Sequence, residues 1–167
     1  MAAKLTPLKD LKVLKHQIPA HGLTLNTSIQ NKPLMIYRSA FMSPSALSIE
    51  SHLRSVGVVE PQWRTSHEVL GIANGKARLC FGHENNPSCV KETVAKGDVI
   101  VVPAGVAHRL LEDLEGGFEM VGCYPKGFNW DMCYGKKGEE GKIEKIKDLG
   151  WFGRDPVYGS EGPALDL

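Results

Sequence analysis

The chain has almost no net charge, no paired-cysteine motif and no long apolar run, and each absence removes a class of function. Twenty Lys and Arg against nineteen Asp and Glu leave a formal charge of +1. That is too little for a broad field gathering nucleic acid or an anionic membrane, so neither is expected as a partner. The four cysteines, Cys80, Cys89, Cys123 and Cys133, form no C-x-x-C, which removes the common zinc signatures and the thioredoxin-type motif and suits a reducing compartment. The N-terminal stretch has scattered lysines, no arginine before Arg38 and no apolar run of signal-peptide or membrane-span length. A cytoplasmic protein is therefore expected. The longest charge run, Lys136 to Lys147, mixes signs around Gly138 and Gly141 and reads as solvated surface.

What is present is the composition of one globular domain. With 167 residues, 42% hydrophobic and 23% charged, the chain can bury a core of its own and is too apolar to be disordered. Residues 1–21 read as an N-terminal arm, where Leu5, Leu8, Leu11 and Leu14 recur every three and suit a short amphipathic helix. Residues 22–167 read as a single domain with an irregular C-terminal segment. Its first strands are expected at Leu23–Ile29 and Leu34–Tyr37, and one helix at Ser43–Val56, with Ser43 as cap, Pro44 in the first turn and Gly57 as terminator.

From His67 onward the pattern changes to short β-type runs: His67–Ala73, Lys76–Gly82, Cys89–Ala95, Asp98–Val102, Ala107–Leu111 and Gly117–Tyr124. Asn74-Gly75 between the first two is a strong hairpin signal. Successive short strands without intervening helical pattern call for an all-β antiparallel sandwich or barrel.

Two spaced patterns carry more than composition does. Gly97 to His108 spells G-x5-P-x-G-x2-H, and Glu68 and Gly75 spell E-x6-G upstream. The former matches the second cupin motif at every fixed position, and the latter matches the close of the first. The stretches HEVLGIANGKARLCFG, KGDVIVVPAGVAHRLLEDL, YPKGFNWDMCYGKKGE and DPVYG resemble the small single-domain cupins of bacteria and fungi, fungal ones especially. The resemblance implies a double-stranded β-helix, the cupin jelly roll, with one short helix before the barrel. It also implies a cavity metal, iron, manganese, nickel or zinc, held by two histidines of an H-x-H, a glutamate and the histidine of the second motif.

Glu68 and His108 match the last two of those ligands. Counting back from Glu68, however, the H-x-H positions fall on Pro61 and Trp63, unless Pro61-Gln62-Trp63-Arg64 precedes a deletion that removed them. His67, adjacent to Glu68 on a strand, should point to the opposite face and is the weaker metal candidate.

Similar fungal cupins beside polyketide synthases are oxidoreductases, so the resemblance implies an oxidoreductase of secondary metabolism acting on a small organic molecule. Two rivals stand beside it. Glu68 and His108 could serve as a metal-free general acid and base for an isomerisation, dehydration or cyclisation. Alternatively the centre has decayed, leaving a binding or structural protein that pairs as a homodimer through strand edges. Arg64, Arg78 and Arg109 read as outward charges. Trp130 and Tyr134 read as tail packing or cavity mouth. His16, His21, His52 and His83 form no ligand spacing, and Ser66 lacks a nucleophile elbow.

Overall fold

The computed structural model describes residues 3–60, 67–125 and 136–167. In chain order these residues form strands β1 (Lys4–Leu5), β2 (Lys12–His16), β3 (Leu34–Arg38) and β4 (Phe41–Met42), helix α1 (Ala46–Val56), and strands β5 (Val59–Glu60) and β6 (Glu68–Asn74). Strands β7 (Lys76–Phe81), β8 (Val90–Ala95), β9 (Val99–Val102), β10 (His108–Asp113) and β11 (Glu119–Pro125) follow, and then helix α2 (Glu140–Lys147).

The strands divide between a six-stranded sheet of order β2-β3-β9-β6-β11-β5 and a three-stranded sheet of order β10-β7-β8, every pairing antiparallel. A separate pair joins β1 to β4. Between the two main sheets lies an apolar interior of Leu34, Ile36, Leu70, Ile72, Ile100 and Val102 from one side and Leu79, Phe81 and Val94 from the other. This is the all-β roll that the motifs implied.

The alternate residues of the large sheet are covered as well. Met35, Tyr37, Val69, Val99, Val101 and Cys123 pack outward against Ile49 and Leu53 of α1 and against Phe152, Val157 and Ala164 of the C-terminal segment. Burial on both faces explains why β3 and β9 are nearly continuous apolar runs instead of alternating ones. Each large aliphatic side chain so covered contributes roughly 1.5–3 kcal/mol.

Local chemistry sets the element ends. Helix α1 is capped by Ser45, not Ser43, because the Ser45 hydroxyl accepts from the Ser48 amide while the Ser48 hydroxyl accepts from the Ser45 amide. Gly97, which opens the Gly97–His108 motif, has φ +96°, and a Cβ there would lie 2.5 Å from the Phe41 carbonyl oxygen. Only glycine accommodates both the conformation and the approach.

Four expectations need correction. The N-terminal leucines do not share one amphipathic helix: Leu5 is in β1, Leu8 in a single 3-10 turn (Leu8–Asp10) and Leu14 in β2, an edge strand paired residue by residue with β3, from Lys12↔Arg38 to His16↔Leu34. A free sheet edge outweighs a weak helical period. The Leu23–Ile29 run is a short 3-10 turn at Asn26–Ile29 instead of a strand. Asn74-Gly75 does not close a hairpin, since β6 pairs with β9 and β11 whereas β7 pairs with β10 and β8. The turn hands the chain from one sheet to the other, with Gly75 at φ +74°. Finally, Lys136–Lys147 includes α2, which buries Ile143 and Ile146.

Candidate functional site

Strand parity decides which side chains reach the interior. On β6, Leu70 and Ile72 face inward, so Glu68 two residues earlier faces inward too. On β10, His108 stands opposite Phe81, an inward residue of β7. The two rings stack with centroids 6.4 Å apart. Glu68 and His108 therefore come from different sheets and meet inside the roll, with Glu68 Oε2 3.2 Å from His108 Nε2. Their side chains are 20% and 27% exposed, enough for a small molecule to touch both.

The turn that delivers His108 is fixed from outside the roll. His67, on the opposite face of β6, accepts at Nδ1 from the Ala104 amide (3.0 Å) and lies 3.1 Å at Nε2 from the Gly150 carbonyl oxygen. A carbonyl can only accept, so the ring is the neutral Nε2–H tautomer. It sits against Trp151 and Phe152 at centroid distances of 4.8 and 5.3 Å. Burial lowers its pKa to about 4, against a smaller opposing effect of the Gly150 bond. With both nitrogens engaged, His67 is a positioning residue: it ties the Pro103–Gly105 turn to the C-terminal segment.

The remaining candidates scatter. Arg78 pairs with Glu112 and Arg109 with Glu84, and all four are exposed on the outer side of the small sheet. The rings of His21 and His83 lie together at 5.4 Å, and His52 Nε2 lies 2.7 Å from the Val157 carbonyl oxygen. His16 contacts Glu92, which also pairs with Arg38, and Arg38 pairs with Asp98. That network, unforeseen from the sequence, ties β2 and β3 to β8. Its only signal was Asp98 following the motif glycine. Pro61, Trp63, Arg64, Ser66, Trp130 and Tyr134 lie outside the described residues.

Sequence reasoning also missed Asp155, which is fully buried. One carboxylate oxygen accepts from the Tyr37 hydroxyl (2.7 Å) and the Ala164 amide (3.0 Å), the other from the Val157 and Tyr158 amides. Burial and the neighbouring carboxylate hold the Tyr37 phenol far above its ordinary pKa.

For a metal, the donors brought together are Glu68 and His108. Among the described residues no group of three or more His, Cys, Asp and Glu side chains could hold an ion, and residues 61–66 contain none of these types. Two donors fall short of the three protein ligands that catalytic first-row sites ordinarily use, so the described residues do not make up the implied iron, manganese, nickel or zinc centre; Asp131 and Cys133 lie outside them.

Residues 45–119 match the family model described as cupin, a span that contains Glu68, Gly97 and His108. The chain is 34% identical over 103 residues to the uncharacterized protein YjlB of Bacillus subtilis (strain 168), covering 61% of this chain and 60% of that protein. It is 35% identical over 75 residues to the 12S seed storage protein CRD of Arabidopsis thaliana, covering 44% of this chain and 16% of that protein. The chain thus spans less than two thirds of either relative. With the two-sheet roll already described, these matches establish the fold as a cupin jelly roll.

Proposed function

We propose that this cupin-fold protein is an enzyme that moves a proton on a small, neutral, largely apolar organic molecule, with Glu68 and His108 as its acid–base pair. The observation that carries the reading is the 3.2 Å approach of carboxylate and imidazole inside the roll. One member takes a proton from a carbon next to a carbonyl, and the other returns a proton elsewhere on the same molecule. The net change is an isomerisation, cyclisation or dehydration, which is redox-neutral and needs no co-reactant.

The walls suggest the substrate class. Leu110, opposite Leu79, and Met120, opposite Ile72, share the inward side yet are 45% and 42% exposed. Leu110, two residues along β10 from His108, offers apolar surface beside the pair, and Met120 extends the inward apolar side farther along β11. The arginines of the small sheet, Arg78 and Arg109, are turned away and paired with Glu112 and Glu84. Beyond His108, a carboxylate substrate would find no counter-charge among the described inward residues, whereas a neutral carbonyl compound needs none.

The oxidoreductase reading gains nothing from the relatives, whose names carry no redox activity. The storage protein favours the non-catalytic rival, and one experiment separates the two. A panel of neutral cyclic ketones and enones in deuterium oxide is incubated with the protein and followed by NMR for deuterium uptake at carbon. Uptake that falls by about 100-fold or more in Glu68→Gln and His108→Gln supports the proposal. Uptake equal in wild type and both variants, or absent across the panel, overturns it in favour of the binding protein.

A further inference from the structure

We propose that Cys80 and Cys89 form a reversible intramolecular disulfide, a redox-sensitive latch on the connection between β7 and β8. The ladder places them together. Cys80 stands opposite Lys91 and Phe81 opposite Val90, so Cys89, immediately before Val90, is one diagonal step from Cys80 on the same outer face. Both are free thiols, and they lie near enough for Cys89 to add to the rise in the Cys80 pKa. Diagonal neighbours have Cα atoms roughly 7–8 Å apart, slightly beyond the span of a disulfide. Cys89 lies just outside the ladder, its amide bonded to the Asn86 carbonyl instead of to β7. The turn can therefore supply the closure without breaking strand pairing.

The two thiols have different exposures and different parts in the reaction. Cys89 is half-buried and meets the oxidant first, whereas Cys80 is buried. With glutathione disulfide as oxidant, the Cys89 thiolate attacks one sulfur, the glutathione S–S bond breaks and one glutathione leaves. The Cys80 thiolate then attacks the Cys89 sulfur of the mixed disulfide and a second glutathione leaves. Two protein thiols are oxidised, one glutathione disulfide is reduced to two thiols, and the protein protons end on the leaving groups. Burial, with smaller contributions from Cys89 and Glu84, pushes the Cys80 thiol up to about 11. The second step is accordingly slow at neutral pH and accelerates as pH rises. Closure bears on the interior because β7 carries Phe81, stacked on His108, and Cys80 itself faces Arg109 across the ladder.

The test equilibrates the native full chain in glutathione buffers of increasing oxidised fraction and reads intact mass, peptide linkage and thiol count. The expected result is loss of two hydrogens, a Cys80–Cys89 linked peptide and a thiol count falling from four to two, all reversed by dithiothreitol. Cys123→Ser keeps this behaviour and Cys89→Ser abolishes it. Cys89 is the position mutated because a change at buried Cys80 could disturb folding; circular dichroism checks each variant. From a preformed Cys89–glutathione adduct, closure should speed up about tenfold per pH unit between pH ~7 and ~9. A Cys89 adduct that never closes, a linkage to Cys123 or Cys133, or a flat pH profile overturns the proposal.

Discussion

At the scale of single residues, His67 shows how burial on the far face of a strand serves the near face. Its imidazole titrates at 6.5 in the unfolded chain and at about 4 in the folded one. Below pH 6.5 the unfolded state takes up a proton that the folded state refuses. Stability is therefore highest above that pH and falls toward pH 4 by about 3 kcal/mol at most. In His67→Gln, urea unfolding between pH 4 and 7 should lose that share of the pH dependence; an unchanged slope would mean the burial is not felt. Asp155 is the second such residue. Asp155→Ala strands the Tyr37 hydroxyl and three amides and should cost about 3 kcal/mol or more in chemical denaturation. Chelation is a third residue-scale case, since the described residues bring only two donors together: treatment with EDTA should leave the thermal midpoint within about one degree, and a larger fall would reveal a structural ion.

Elements show where local chemistry was sufficient. Helix α1 has its capping box and its left-handed Gly57, features confined to a few neighbouring residues. Ser45→Ala should cost about 1 kcal/mol in urea denaturation. Gly97→Ala should cost more, about 2–3 kcal/mol, because it strains the backbone and drives a methyl into the Phe41 carbonyl. Equal midpoints for wild type and Gly97→Ala would show that the turn relaxes freely. The expected hairpin at Asn74-Gly75 teaches the opposite lesson. A turn that permits a hairpin does not compel one, and β9 and β11 compete successfully for the edges of β6.

Across the whole molecule, the six-stranded sheet is a shared wall, one face turned to the catalytic candidates and the other held down by α1 and the C-terminal segment. His67 connects the two, receiving the Ala104 amide on one side and meeting the Gly150 carbonyl on the other. Deleting residues 151–167 would expose Met35, Tyr37 and Val101, and the truncated chain should be insoluble or lose cooperative unfolding, as gel filtration and calorimetry would show. Among the described residues no helix is long and apolar enough to cross a membrane. The sequence by itself determined the strand runs from residue 67 onward, the helix and its glycine stop, and the inward parity of Glu68 and His108, because alternation, capping and the motif turn act over a few residues. Tertiary structure alone decided that β2 joins the large sheet, that β6 and β7 part company, that His67 is pinned between a turn and the tail, and that Asp155 gathers four donors. Those outcomes depend on which distant edge or carbonyl is free to accept a partner, and no local pattern records that.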